Sequence, residues 1–266
     1  MRSLRFLAVL LASLTLTACL NSTTLVKVNP DGSGTVEQTT LANVSAMRGM
    51  MGGQGGPSGP MMNKADLERT AERMGKGVRL VSSEPIKGEM GFEGTKSIFA
   101  FDDINQIQIT QGPSMGGGAR SSEPTSDDPV RFTFTRSGGT SSLRINYIDK
   151  PGGGNTDAAP SPQPGDMPDL TNPMMMNMLK TMFQGFKISD ALEVVGTIVK
   201  TNADYVAGSR ITMLEMDAVA LLADEAKLRE LQGKLGPDAS LSQIKPLLKD
   251  VKGIKIDGPS IEVEFR

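Results

Sequence analysis

A single cysteine, Cys19, limits what this 266-residue chain can fold into. It closes an N-terminal segment in which Arg2 and Arg5 precede an almost unbroken apolar run from Phe6 to Leu16. That run is well short of the roughly 20 apolar residues a helix needs to cross a bilayer core, and it suits the apolar region of a signal peptide. Residues 1–18 are therefore expected to be a signal peptide, cleaved between Ala18 and Cys19. With no second cysteine, the exported part can form no internal disulfide and must be held by its core alone. Aromatic residues make up 4% of the chain, Trp is absent and there are 17 Met, so that core is expected to be aliphatic and methionine-rich. Histidine is also absent. This removes the commonest general base, the commonest metal ligand and the usual pH switch.

Leu16-Thr17-Ala18-Cys19 is similar to the lipobox of bacterial lipoproteins. The resemblance implies a diacylglyceryl group on the Cys19 thiol, usually followed by acylation of its new amino terminus. Two or three acyl chains make anchoring effectively permanent, since each buried CH₂ contributes about 0.8 kcal/mol. Leu20 follows the cysteine where inner-membrane lipoproteins of two-membrane bacteria commonly carry Asp. The expected address is thus the cell envelope, at the outer membrane facing the periplasm if the organism has two membranes. Loss of residues 1–18 removes two of the 28 basic residues against 30 acidic ones. Such a mild, mixed charge argues against nucleic-acid binding and against a polybasic membrane patch.

The remainder divides by composition. Residues 19–149 are expected to form the N-terminal part of an envelope domain, and residues 173–266 a C-terminal part packed on the same sheet. Between them, residues 150–172 are rich in Pro and Gly and read as a flexible segment. Similar loops are expected at 48–61 and 111–129, because they bury too little apolar surface to offset ordering entropy. Strand signals are frequent. Leu25 to Val28 and Gly34 to Thr39 flank Asn29-Pro30-Asp31-Gly32-Ser33, a hairpin turn in which Gly supplies the positive φ. Phe132 and Phe134, then Leu143, Ile145 and Tyr147, alternate with polar residues across Ser137-Gly138-Gly139-Thr140. Further strands are expected at 98–101, 107–109, 186–199 with a bulge at Gly196, 211–216 and 254–256. The last is followed by an Asp257-Gly258 turn and alternating Ile261, Val263 and Phe265.

Four helices are expected. Asn63 caps one running to Met74 and stopped by Gly75, with Leu67, Ala71 and Met74 on one face. Pro173 opens a second, through Phe183. Asp224 caps a third. Ser240 to Gln243 spells a capping box for a fourth, in which Pro246 should mark a kink or the true start. The fold class is α+β: an antiparallel sheet of hairpins with inserted helices and long flexible loops.

Catalytic constellations are lacking. Without His there is no Ser-His-Asp or Cys-His set, no glycine run opens a strand-to-helix phosphate loop, and zinc ligands are missing. Asp102-Asp103 and Asp127-Asp128 lack EF-hand spacing and read as solvated or turn-capping aspartates. The chain is expected not to be an enzyme and to need no cofactor beyond the covalent lipid on Cys19.

Methionine usage stands out, with Met47, Met50, Met51, Met61 and Met62 in one group and Met174, Met175, Met176, Met178 and Met182 in another. Thioethers are soft ligands for Cu(I), which gives an alternative reading as a Cu(I)-handling envelope protein. The other reading places Met175, Met178, Leu179 and Met182 on one helical face as an adaptable apolar surface that binds a ligand. That helix is expected either to cover an apolar cavity as a flap or to sit fixed in the core.

The stretch from Leu25 to Val36, with its Asp31-Gly32-Ser33-Gly34 turn, resembles the start of the LppM-like domain of bacterial lipoproteins. Thr201 to Tyr205 followed by Ile211 to Asp217 looks like a block from envelope lipoproteins of similar length. The resemblance implies an α+β envelope domain that holds hydrophobic molecules, and it carries over no catalytic residue. Taken together, the sequence points to a non-enzymatic, membrane-anchored envelope lipoprotein that binds a lipid-like ligand or an envelope protein.

Overall fold

The computed structural model describes residues 20–44, 62–109, 130–146, 173–234 and 241–266. Cys19, the group Met47 to Met61, Tyr147 and residues 150–172 lie outside them. The described chain is α+β. Its strands form two sheets rather than the single one expected.

Strands β1 (Leu20–Val28) and β2 (Gly34–Asn43) form the expected hairpin. Its turn is fixed locally: the Asn29 amide donates to the Ser33 carbonyl at 2.8 Å, and Asp31 accepts from both the backbone and the hydroxyl of Ser33. Those two bonds hold the Asp31 carboxyl below its usual range. Gly32 has φ +88°, and a Cβ there would lie 2.9 Å from the Phe134 ring. Its lack of a side chain therefore lets the turn bend and lets the second sheet approach it.

After helix α1 (Lys64–Met74) come β3 (Arg79–Lys87) and β4 (Phe92–Phe101). Asn63 and Asp66 complete a reciprocal capping box on α1, and Leu67, Ala71 and Met74 are buried, as the sequence predicts. The short β5 (Gln108–Ile109) leads to the hairpin β6 (Val130–Ser137) and β7 (Thr140–Asn146). The C-terminal part runs α2 (Pro173–Met182), β8 (Lys187–Val194), β9 (Ile198–Thr201), β10 (Val206–Ala207), β11 (Arg210–Asp217), α3 (Ala218–Ala223), α4 (Glu225–Lys234), α5 (Leu241–Leu248), β12 (Ile254–Ile256) and β13 (Ser260–Phe265).

The long sheet has the order β10-β11-β8-β1-β2-β4-β3, with β12 also paired to β11; the second is β5-β6-β7-β13-β9. β1 and β8 run parallel, a departure from the antiparallel pattern of the other described pairs. Two expected elements lead from one sheet to the other. The run 186–199 is broken at Val195-Gly196-Thr197, where the chain leaves the long sheet for the second; irregularities in register lie between β13 and β9 at Glu264/Phe265, at Thr212/Leu214 of β11 and at Leu80/Ser82 of β3. At the expected Asp257-Gly258 turn the chain changes sheets: β12 belongs to the long sheet and β13 to the second.

That crossing is held by a buried carboxylate. Asp257, 3% exposed, accepts the amides of Gly258 at 2.7 Å and Asp204 at 2.9 Å, and Lys245 of α5 lies 3.5 Å away. Lys245 also pairs with Asp204 at 2.7 Å. Burial works to lower the Lys245 pKa, but the two carboxylates outweigh it and raise it. Pro246 sits inside α5, which continues across it.

One main core lies between the sheets, joining Val26, Val36, Phe99 and Leu192 of the long sheet to Phe132, Leu143, Ile145, Ile261, Val263 and Phe265 of the second. Full burial contributes about 1.5–3 kcal/mol for each such side chain. A smaller cluster of Leu248, Val251 and Ile254 underlies α5.

Candidate functional site

The long sheet carries the feature that geometry singles out. Side chains alternate faces along a strand, and registered residues of neighbouring strands share a face. Leu192, Val26, Val36 and Phe99 register across β8, β1, β2 and β4, and all four belong to the main core, which defines the inner face. Two residues further toward Leu20 the same face presents Asp190, Thr24, Gln38 and Ser97. The next row is Ile188, Ser22, Thr40 and Thr95. Four adjacent strands thus change from apolar to largely polar at the same level, on the face that also carries the core.

Three of these polar groups are covered rather than solvated, while Asp190, Gln38, Ser22 and Thr40 are half-buried. Thr24, Thr95 and Ser97 are 8%, 5% and 3% exposed. Burial pushes the Asp190 carboxyl up to about 6, against the opposing effect of a hydrogen bond from the Thr24 hydroxyl. Among the described residues the Thr95 hydroxyl oxygen is buried with no hydrogen-bond partner. Leaving a buried polar atom unmatched costs roughly 1–3 kcal/mol, so such atoms are rare and mark strain, an ordered water or a ligand. The outer face is different in kind: Lys27–Glu193, Glu37–Lys96 and Glu215–Lys255 form partly solvated ion pairs at 3.2–3.4 Å. Covered hydroxyls beside a carboxyl whose burial favours its protonated form, at the edge of an apolar core, suit the polar end of a molecule with an apolar body.

Helix α2 differs from its sequence reading. Met176 is buried at 2% exposure, Met175, Leu179 and Phe183 are half-buried, and Met178 is 45% exposed. Met176, Leu179 and Phe183 lie on the covered face; of the expected set, Met175 and Leu179 are half-buried and Met178 is exposed. The Met182 side chain lies outside the described part. Phe183 packs edge-on against Phe186 at 5.8 Å, and Lys180 pairs with Glu225 of α4 at 2.7 Å, which fixes this rotation. Met174, at 81% exposure, and Met176 project to different sides, as helical residues two positions and about 200° apart must. From the first methionine group, Met62 packs against the main core.

The other candidates resolve simply. Ala18 and Cys19 lie outside the described residues. Asp102 pairs with Arg79 at 2.9 Å, and Asp103 caps a turn through the Asn105 amide. Among the described residues no group of three or more His, Cys, Asp or Glu side chains could hold a metal ion. No described helix is long and apolar enough to cross a membrane.

The sequence reading missed Asp190, Thr24, Ser97 and Thr95. The signal available was Asp190 itself, two residues from Ile188 and from Leu192 in a strand whose same-face positions are otherwise apolar.

No family model and no curated protein matches this chain. Among solved structures it is similar to the folded domain of LppM from Mycobacterium tuberculosis, determined by NMR. The TM-score is 0.38 and the identity 10%, with 94% of this chain and 91% of that domain covered. No residue's role is transferred across so distant a likeness.

Proposed function

We propose that the mature chain is a non-enzymatic envelope lipoprotein, anchored through lipid on Cys19, whose long sheet holds an amphipathic, lipid-like molecule against its inner face. The single observation that carries the ligand is the shared change from apolar to polar across β8, β1, β2 and β4, with the unpartnered Thr95 hydroxyl inside it. Leu192, Val26, Val36 and Phe99 are already covered by the second sheet, so the molecule sits beside that core at the polar rows, where Asp190, Thr24, Ser97 and Thr95 receive its polar end. The anchor rests on the signal-peptide pattern and on the likeness of Leu16 to Cys19 to a lipobox. The absence of a His-based constellation supports the non-enzymatic reading.

The experiment is probe displacement. Mature protein in mild detergent should bind an apolar fluorescent probe saturably, and a single-chain phospholipid should displace it. A simple alkane of equal length should displace it less well, because it lacks the polar end. Failure of the protein to bind the probe, or equal displacement by both competitors, contradicts the reading.

A further inference from the structure

Residue Leu20, the neighbour of Cys19, is already the first residue of β1, and it registers with Ala42 of β2. Consecutive Cα atoms are about 3.8 Å apart, so no length of chain separates the lipid-bearing residue from the folded domain. A domain joined to its anchor in this way cannot hang at a distance from the membrane.

The same end of the long sheet collects the start of β8, the end of β11 and the start of α3. Asn21 registers with Lys187, and Lys187 with Asp217. The Ala218 amide then donates to the Phe186 carbonyl at 3.1 Å, which ties α3 to the segment leading out of α2. These two helices expose apolar side chains: Val219 at 53%, Met178 at 45% and Met174 at 81%. The polar residues exposed around this end are of mixed sign, among them Lys87, Glu89, Glu93 and Lys252. That mixture gives no net electrostatic pull toward anionic lipid, so contact must come from the anchor and the apolar side chains. Unbranched Met side chains suit an irregular acyl and headgroup boundary.

We propose that this end of the domain lies directly on the bilayer that carries the anchor, with Val219 and the exposed methionines of α2 entering its interface. The inference rests on the lipid anchor at Cys19. Its consequence is an orientation. Ser22 is two residues from Leu20, roughly 7 Å along the strand, so the polar rows of the inner face sit near the headgroup level. The far end is Val28, which stands about 26 Å away along β1. Val195 marks that end, because its amide donates to the Val28 carbonyl at 2.8 Å, and it is 49% exposed.

The test uses full-length chain, expressed so that it is processed and then reconstituted into phosphatidylethanolamine/phosphatidylglycerol vesicles. Lipidation occupies the native cysteine, so Val219→Cys, Met178→Cys and Val195→Cys each offer one labelling site. A fluorophore at each is quenched by lipid carrying a headgroup nitroxide. The expected result is quenching several-fold stronger at 219 and 178 than at 195, and weaker at 219 and 178 after a twelve-residue Gly/Ser insertion between Leu20 and Asn21. Equal quenching at all three sites in lipidated, vesicle-bound protein overturns the orientation and leaves the anchor standing. Protein whose mass shows no lipid on Cys19 refutes the anchor and the orientation together.

Discussion

Thr24 and Asp190 face each other across the parallel pair β1 and β8, and the Thr24 hydroxyl donates to the Asp190 carboxylate. The pair sits where the inner face turns from apolar to polar. Burial raises the carboxyl from 3.8 to about 6, so the folded protein binds this proton more tightly than the unfolded chain does. Stability associated with protonated Asp190 is therefore present below pH 4 and is lost as pH rises from about 4 to 6. Asp190→Asn should remove that loss. The variant is expected to gain on the order of 1–3 kcal/mol relative to wild type at pH 7.5, with little gain at pH 4. Denaturant titrations at the two pH values check this, and an equal effect at both would contradict a buried, proton-binding carboxyl.

Two methionines two residues apart on α2 should behave differently. Met176 is 2% exposed and Met178 45%. Met176→Asp buries an unpaired charge and is expected to destabilise the domain by several kcal/mol, whereas Met178→Asp should cost under about 0.5 kcal/mol. Thermal melts of the two variants decide whether α2 is held through Met176. A helix that moves freely as a flap would tolerate both.

That face of α2 was not legible in the sequence, and the reason is specific. Methionine occupies 174, 175, 176 and 178, so apolar residues point in nearly every direction around the helix and periodicity cannot choose a side. The choice is made by Phe183 against Phe186 and by Lys180 with Glu225, which are tertiary contacts. β3 was missed for another reason. It lies at the edge of the long sheet, only Leu80, Ile86 and their neighbours on β4 shield it, and Pro85 is tolerated because its missing donor faces no further strand. What local chemistry determines is legible: the Asp31-Gly32 turn and the Asn63 cap follow from residues within a few positions of one another. Period-two alternation also found most strands, but it says only that a face is buried. It does not say which sheet a strand joins, and so the Asp257-Gly258 turn gives no sign that the chain crosses there from one sheet to the other.

Methionine also allows a metal test. Replacing Met174, Met175, Met176, Met178 and Met182 by Leu keeps bulk and removes sulfur. Since Met174 and Met176 lie on different sides of α2, Cu(I) titration under reducing, anaerobic conditions is expected to show equal, weak uptake by wild type and variant. Tight uptake by wild type alone would restore the copper reading.

Anchoring is tested independently of the fold. Cys19→Ala removes the lipid acceptor and no disulfide, so the domain should melt as before while losing fatty-acid label and membrane association. Continued lipid labelling of this variant would contradict the assignment of Cys19.

The central claim is that the inner face of the long sheet receives the polar end of an amphipathic molecule at Thr95. Thr95→Val keeps the side chain's shape and removes its unpartnered hydroxyl. Without a ligand, that exchange should stabilise the protein by about 1 kcal/mol. The direct measurement is to purify wild type and Thr95→Val from membranes, extract non-covalent lipid with organic solvent, and quantify it by mass spectrometry against protein. The covalent lipid on Cys19 remains with the protein. The account predicts near-stoichiometric amphipathic lipid on wild type and a several-fold loss in the variant. The same amount of lipid on both, or none on either, would contradict it.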